Sequence, residues 1–340
     1  MKKILVIRND NIGDLACTTP LLEVLRKAYP SAMIDVLGNS YNVALLQHDP
    51  RVSHVWHYDK AKHFPSIRKK VAAWIQKFLL LVQLRLQRYD IAIIAVPIFN
   101  RRTTQIANFI HPKIICGAET TERPLPRNYH AIKINHTDEH VLQVVTYAKA
   151  LGIDDPAPDG MVLFLSAKEK TQVERERAAV PGDQSKPIIG VQISARRPKQ
   201  RYSFEQWEKM INLLLPHARL RILWSPGLPD HPQHPGDDLL AAELQAAFPK
   251  DQLLVQPTTD VRSLMVAFAS CDLVVGSDGG AMHIAAALGP KTVTLFGDID
   301  PSVWRPYSKR GYEIASPTGN LSDVAPEVVA KKVIELLLFL

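Results

Sequence analysis

A chain of 340 residues is long enough for two domains of ordinary size, each with its own core. With 46% hydrophobic and 22% charged residues, no low-complexity tract and no internal repeat, it reads as a globular protein. No apolar run reaches the length of a membrane span; the nearest, Lys77 to Arg88, is interrupted by Gln83, Arg85 and Gln87.

The first elements set the pattern. The run Ile4 to Ile7 is short and ends in charges, so residues 3–8 read as a strand and not as a signal peptide. A helix over 13–29, a strand over 33–37 and a short helix over 40–48 follow. A long helix over 66–88 leads to a continuous apolar strand at 91–96, a helix at 103–110 and a strand at 113–116. Further helices are expected at 138–151 and 167–179. Apolar strands separated by helices indicate a mainly parallel sheet covered on both faces. Breakers and polar residues cluster at 180–187, the best candidate linker, and a fresh strand begins at 188–193. The alternation then repeats: helix 204–215, strand 220–224, helix 238–248, strand 253–255, helix 261–270, strand 273–275, a small-residue helix from near Asp278, and strand 292–296. Two doubly wound domains of this kind place ligands at strand carboxyl ends, facing the cleft between them.

Charge is uneven along the chain. Residues 1–170 carry a balance of +8, and the remainder carries −1. Much of the excess falls between Lys60 and Arg88, where Lys60, Lys62, Arg68, Lys69, Lys70, Lys77 and Arg85 interleave with Val71, Trp74, Ile75, Phe78, Leu79, Leu81 and Val82. That pattern suits an anionic membrane surface, or a solvated helix whose apolar stripe is core. No recognised motif accompanies the charge, so nucleic acid is not expected as a partner. Cys17, Cys116 and Cys271 are few and widely spaced, which suggests a reducing cytosol and neither a disulfide framework nor a metal knuckle.

Four turns could carry chemistry. The first, Arg8-Asn9-Asp10-Asn11-Ile12-Gly13-Asp14, has one glycine, so it lacks the dinucleotide fingerprint, and no Walker sequence occurs elsewhere. It puts Asp14 in the first turn of a helix at the carboxyl edge of the first strand, as a candidate catalytic carboxylate or as a partner for the helix dipole. The second, Ser194 to Ser203, holds Arg196, Arg197, Lys199 and Arg201 after the strand that opens the second domain, where cations could neutralise a diphosphate. The third, Ser277-Asp278-Gly279-Gly280-Ala281-Met282-His283, is a strand, a glycine turn and a helix N-terminus, which favours anions. A fourth, Asp298-Ile299-Asp300, has the form of a metal-binding carboxylate pair but reads better as a polar turn before Pro301. The twelve histidines show no metal-ligand spacing, and His231 and His234 sit in a proline-rich loop. No metal site is expected.

The segment from Arg8 to Asp14 with Thr19-Pro20-Leu21-Leu22 resembles the amino-terminal signature of glycosyltransferase family 9. Ser277 to Gly289, with Leu295-Phe296-Gly297 and Asp300-Pro301, resembles its carboxyl-terminal signature. These are the lipopolysaccharide-core heptosyltransferases and their relatives. The resemblance implies an α/β chain of GT-B architecture with two doubly wound Rossmann-like domains facing a central cleft. The acceptor-binding domain would span 1–180, the nucleotide-sugar domain 181–322, and a C-terminal helix over 323–340 is a candidate to pack back on the first domain. It also implies inverting, metal-independent sugar transfer without a cofactor, typically of heptose from ADP-heptose. The acceptor would be a lipopolysaccharide core or lipid A-linked sugar, with the enzyme in the cytoplasm and peripheral on the anionic inner membrane.

By position, the family's general base falls on Asp14. Its donor loop falls on Asp278, Gly279, Gly280 and His283, and its phosphate cation within Lys199 to Arg201. Two departures bear on the donor. Most members have Thr or Ser where this chain has Gly279, and the usual Lys-Arg-Trp-Pro run is here Gln200-Arg201-Tyr202-Ser203. Another nucleotide sugar, a nucleotide-sugar epimerase and a non-catalytic polysaccharide-binding relative are the alternative readings.

Overall fold

The computed structural model describes residues 1–59, 66–154, 156–228 and 236–339. Lys60, Lys62 and the loop holding His231 and His234 lie outside the described residues. The chain divides into two compact units, Met1–Phe164 and Leu165–Leu340.

The first unit runs β1 (Lys3–Ile7), α1 (Ile12–Ala16), α2 (Thr19–Ala28), β2 (Met33–Asn39), β3 (His54–Tyr58), α3 (Ile67–Leu86), β4 (Ile91–Ile94), α4 (Arg101–Ile110), β5 (Ile114–Ala118), β6 (Tyr129–Ile132) and α5 (His140–Val145). Its strands form one parallel sheet in the order β3-β2-β1-β4-β5-β6. The second unit runs α6 (Ala167–Ala179), β7 (Ile188–Gln192), α7 (Phe204–Leu214), β8 (Arg219–Trp224), α8 (Asp238–Ala247), β9 (Leu253–Pro257), α9 (Val261–Ala269), β10 (Leu273–Ser277), α10 (Gly280–Leu288), β11 (Lys291–Phe296), α11 (Pro301–Trp304), β12 (Gly311–Ala315) and α12 (Pro326–Leu337). Its parallel sheet reads β9-β8-β7-β10-β11-β12.

Both sheets therefore have the doubly wound 3-2-1-4-5-6 order. In each, the connection reverses direction between the first and fourth strands, so their carboxyl ends flank a crevice where ligands bind in such folds. The reversal falls at β1/β4 in one sheet and at β7/β10 in the other. β1, β4, β7 and β10 are the strands whose apolar runs continue without alternation, as burial on both faces requires. Each sheet has a core of its own. Leu5, Ile7, Ala92 and Ile94 pack with Tyr89 and Ile115 in the first; Val191, Ile222, Val275 and Leu295 pack with Trp207 and Val333 in the second.

Local chemistry places several helix ends. Ser166 with Glu169, Ser203 with Gln206 and Asp260 with Ser263 form capping boxes at α6, α7 and α9. The helix expected over 13–29 is instead two. α1 stops at Ala16, the Thr18 hydroxyl donates back to the Asp14 carbonyl, and Pro20 sits in the first turn of α2, where its missing N–H costs nothing. The short helix expected at 40–48 is a single 3-10 turn, Val43–Leu46, and that expected over 138–151 changes from α to 3-10 at Thr146. β3, β6 and β12 are strands that pattern alone does not signal. All three are sheet edges with part-exposed residues and no continuous apolar run.

The compact second unit begins before α6, ahead of the linker candidate at 180–187. Glu169 pairs with Arg262, Glu176 with Arg221, and Val173 is buried. The C-terminal helix α12 puts Val329, Ala330, Val333 and Leu336 into the core of this second unit and lies against α7, where Lys209 pairs with Glu327.

Candidate functional site

Where β1 ends, the chain leaves the sheet through Arg8, which is fully buried. A buried guanidinium needs acceptors, and the local sequence supplies them. Nε lies 2.9 Å from Asp10 Oδ1, Nη2 lies 2.9 Å from Asp14 Oδ1, and Nη1 donates to the Ala95 carbonyl beyond β4. His140, at the start of α5, brings Nε2 to 3.2 Å from Arg8 Nη2 and 3.6 Å from Asp14 Oδ1. An arginine nitrogen can only donate, so a neutral His140 accepts there; protonated, it adds a second positive charge beside Asp14.

The other Asp14 oxygen accepts from the Asn11 side-chain amide at 2.9 Å. Burial works against the Asp14 charge, but Arg8, His140 and Asn11 together outweigh it and hold its carboxyl below the usual carboxylate range. Asp10 goes the other way. Burial and the neighbouring Asp14 charge raise it, against the opposing pull of Arg8. The turn itself is pinned from β2: Asn39 Nδ2 donates to the Asn9 and Asp10 carbonyls at 2.9 and 3.0 Å, and Asn42 Nδ2 to the Arg8 carbonyl at 3.1 Å. A rigid turn thus presents Asp14, with 12% of its side chain exposed, as an ionised acceptor at the sheet's reversal point.

In the second unit, β10 ends at Ser277 and α10 begins at Gly280, two residues after the start expected from the sequence. No side chain caps α10, and the run Asp278 to Ala281 at its N-terminus is half-buried. Gly276 pairs in register with Gln192 of β7. Two polar atoms there, Gln192 Oε1 and Ser277 Oγ, are buried and without a hydrogen-bond partner among the described residues.

Asp278 accepts from Gln200 Nε2 at 2.9 Å. Burial pushes its carboxyl up to about 6, with Gln200 and Arg197 pulling down and Asp298 adding to the rise. The same hydrogen bond brings the cation-rich turn to the glycine turn. Gly297 permits the approach, because a Cβ there would lie 2.3 Å from the Lys199 carbonyl oxygen.

The four cations of that turn separate into different roles. Arg201 is committed to the buried Asp237 at 2.9 Å, and Arg197 approaches Asp298 at 3.7 Å. Lys199 and Arg196 are exposed, with no ion pair to a described residue. His283 lies buried in the second turn of α10. Gly279 is extended, and nothing lies within 4 Å of where a Cβ would be, so the protein itself leaves room for a side chain there. Asp300 caps α11 by accepting from Ser302 N at 2.9 Å, which gives half of the Asp298/Asp300 pair a structural role.

Sequence reasoning reached Asp14 and the glycine turn but did not single out Arg8, Asp10 and His140, or Gln192 and Gln200. An arginine closing an apolar strand is a usable signal for a buried ion-pair hub. Nothing local points to His140, which is distant in the chain.

The family model of glycosyltransferase family 9 (heptosyltransferase) matches residues 78–334. The chain belongs to that family and is a glycosyltransferase of GT-B architecture. It is 22% identical to lipopolysaccharide heptosyltransferase 1 of Escherichia coli K12, over 98% of this chain and 100% of that one. It is 25% identical to lipooligosaccharide heptosyltransferase 2 of Haemophilus ducreyi, over 95% of this chain and 91% of the relative. Among solved structures, a family 9 glycosyltransferase from Veillonella parvula superposes with a TM-score of 0.84 at 21% identity, covering 100% of this chain and 98% of that one. The ADP-heptose lipopolysaccharide heptosyltransferase II of E. coli gives 0.76 at 22% identity, covering 100% and 99%.

Proposed function

We propose that this chain is an inverting transferase that moves heptose from ADP-heptose onto a lipopolysaccharide-core acceptor at the cytoplasmic face of the inner membrane. The observation that carries the reading is Asp14, a part-buried carboxylate held ionised by a buried arginine at the reversal point of the first sheet. The names of relatives acting on lipopolysaccharide and lipooligosaccharide support the acceptor class. A relative's structure described as a complex with ADP supports the donor.

In this mechanism an acceptor hydroxyl oxygen attacks the anomeric carbon from the face opposite the diphosphate. The bond from that carbon to the diphosphate oxygen breaks as the new glycosidic bond forms. The hydroxyl proton passes to Asp14, and ADP carries away the electron pair. An ionised Asp is a weak base, effective only as the hydroxyl acidifies during attack on an oxocarbenium-like centre. The leaving diphosphate needs positive potential. Lys199 and the N-terminal N–H groups of α10 at Gly279 and Gly280 would supply it, with Ser277 and Gln192 as polar contacts. Asp278 and His283 would shape the same donor pocket. Arg201, being paired with Asp237, would act by holding the loop and not by touching phosphate.

Asp14→Asn separates binding from chemistry. It should retain ADP affinity within about threefold while transfer falls by about 10²–10⁴, the range for a lost general base. Near-normal turnover, measured by ADP release with an acceptor present, would move the base elsewhere, and Asp10→Asn is the matched comparison. A donor other than ADP-heptose is the second reading, and one observation favours it: Gly279 offers no side-chain contact and leaves open space beside the glycine turn. Competing nucleoside diphosphate sugars against ADP binding decides between them. ADP-heptose consumed without any acceptor would instead indicate an epimerase.

A further inference from the structure

Helix α3 of the first unit buries little of itself for a twenty-residue helix: only Ala73 and Leu84 are fully inside. Lys77, Leu80 and Leu81 cover the core side, with Lys77 over the Tyr58 ring at 4.3 Å. On the far side, Ile67, Val71, Trp74, Ile75, Phe78 and Leu79 recur at helical spacing and are all exposed, Trp74 by 65%. Leu86 extends the stripe by two turns and is 72% exposed. A monomeric surface rarely leaves so continuous an apolar strip in water.

The charges around the strip say what would cover it. α3 carries Arg68, Lys69, Lys70, Lys77 and Arg85 and not one acidic residue. At its C-terminal end, Arg85, Arg88, His111 and Lys113 line a shallow pocket with Leu86 and Tyr89; Lys113 is paired with Asp90 at 2.7 Å, so Arg85 and Arg88 carry its positive charge. A second copy of the chain would bring two like-charged helices together, which disfavours a homodimer through this face. An anionic lipid surface matches both parts: the stripe enters the headgroup–acyl boundary while the flanking cations meet lipid phosphates.

We propose that the α3 face is a docking surface for an anionic phospholipid bilayer, with Trp74 and Phe78 inserted and the Arg85–Lys113 pocket holding a lipid phosphate. This rests on, and deepens, the reading of a membrane-embedded acceptor. The helix lies outside the groups assigned above to donor and base, so its loss leaves them in place.

The test is sedimentation of the full chain with vesicles of phosphatidylcholine alone or with one-third phosphatidylglycerol. Binding to the anionic vesicles is expected, with a fall of at least tenfold at high salt or on removing phosphatidylglycerol. Trp74→Ser/Phe78→Ser should lower binding at least tenfold, as should Arg85→Gln/Arg88→Gln. All these variants should keep the wild-type circular dichroism spectrum and melting temperature, which report an intact fold independently of whether the transferase reading stands. Failure of the folded wild type to bind anionic vesicles would overturn the proposal. So would equal binding by the variants, or a solution dimer that dissociates on Trp74→Ser/Phe78→Ser.

Discussion

Arg8 holds two carboxylates at once, and the consequences differ for each. Asp14 sits below the ordinary carboxylate range, so its pairing contributes stability that is present above that range and lost as pH falls through its folded value. Replacing Arg8 by Met leaves two part-buried carboxylates facing each other without their cation. Breaking a buried pair in this way costs about 3–5 kcal/mol, so Arg8→Met should lower the urea midpoint sharply. It should also raise the acid limb of the transfer pH profile, because Asp14 would then protonate at higher pH. An unchanged profile in a folded Arg8→Met enzyme would remove Arg8 as the group that keeps Asp14 ionised.

Asp278 has the opposite sign. Its carboxyl at about 6 means the folded protein holds that proton more tightly than the unfolded chain does. Stability therefore declines as pH rises from about 4 to 6, and above that the buried charge persists as a cost of about 2–3 kcal/mol. Asn in its place can still accept from Gln200. Asp278→Asn should raise the unfolding free energy at pH 7.5, with the gain fading by pH 4. A diphosphate bound beside it would raise Asp278 further, so wild-type ADP binding should take up a proton near neutral pH. Calorimetry in buffers of different ionisation enthalpy measures that uptake, and its survival in Asp278→Asn would assign the proton to another group.

At the scale of elements, the donor side depends on two loops packed backbone to backbone. Gly297 lets the 3-10 turn Pro198–Gln200 lie against the end of β11, because any Cβ would meet the Lys199 carbonyl at 2.3 Å. Ala at Gly297 must displace that backbone, an overpacking cost of about 1–3 kcal/mol. Since the same turn carries Lys199 and positions Gln200 on Asp278, Gly297→Ala should weaken ADP binding more than it slows turnover at saturating donor. Gly279 makes the contrast. Its extended backbone and open surroundings predict that Gly279→Ser folds with wild-type stability, so any change in its donor affinity reports contact with the donor itself.

The elements also show which parts of the fold were legible. Apolar runs at Ile4–Ile7, Ile91–Ile94 and Leu273–Val275 announced central strands, since burial on both faces leaves no alternation to confuse them. The edge strands β3, β6 and β12 carry exposed residues and little pattern, and they exist because a neighbouring strand offers unpaired backbone groups. The break between α1 and α2 was half legible: Pro20 implies a tight or kinked turn, but the pattern reads as one helix over 13–29, and the turn at Cys17 and Thr18 depends on where Asp14 and Thr19 must point.

Across the whole molecule, each sheet has its own core, and the charge excess falls in the first half. Saturating ADP at about 100 times its Kd stabilises whatever it binds by about 2.7 kcal/mol. Hydrogen exchange should then show the added protection concentrated at the ends of β7 and β10 and the start of α10. Protection centred on the Arg8–Asp14 turn would reverse the assignment of donor and base.

The residues by themselves determined the α/β class, the doubly wound repeat and the family signatures, because periodicity and short motifs are local properties of the chain. Only the tertiary structure decided the electrostatics. It brought His140 to Arg8 and Asp14, committed Arg201 to Asp237, set Gln200 on Asp278 and left the apolar stripe of α3 uncovered. Charge state and exposure depend on which distant groups burial brings together, and the order of residues along one strand or helix does not contain that.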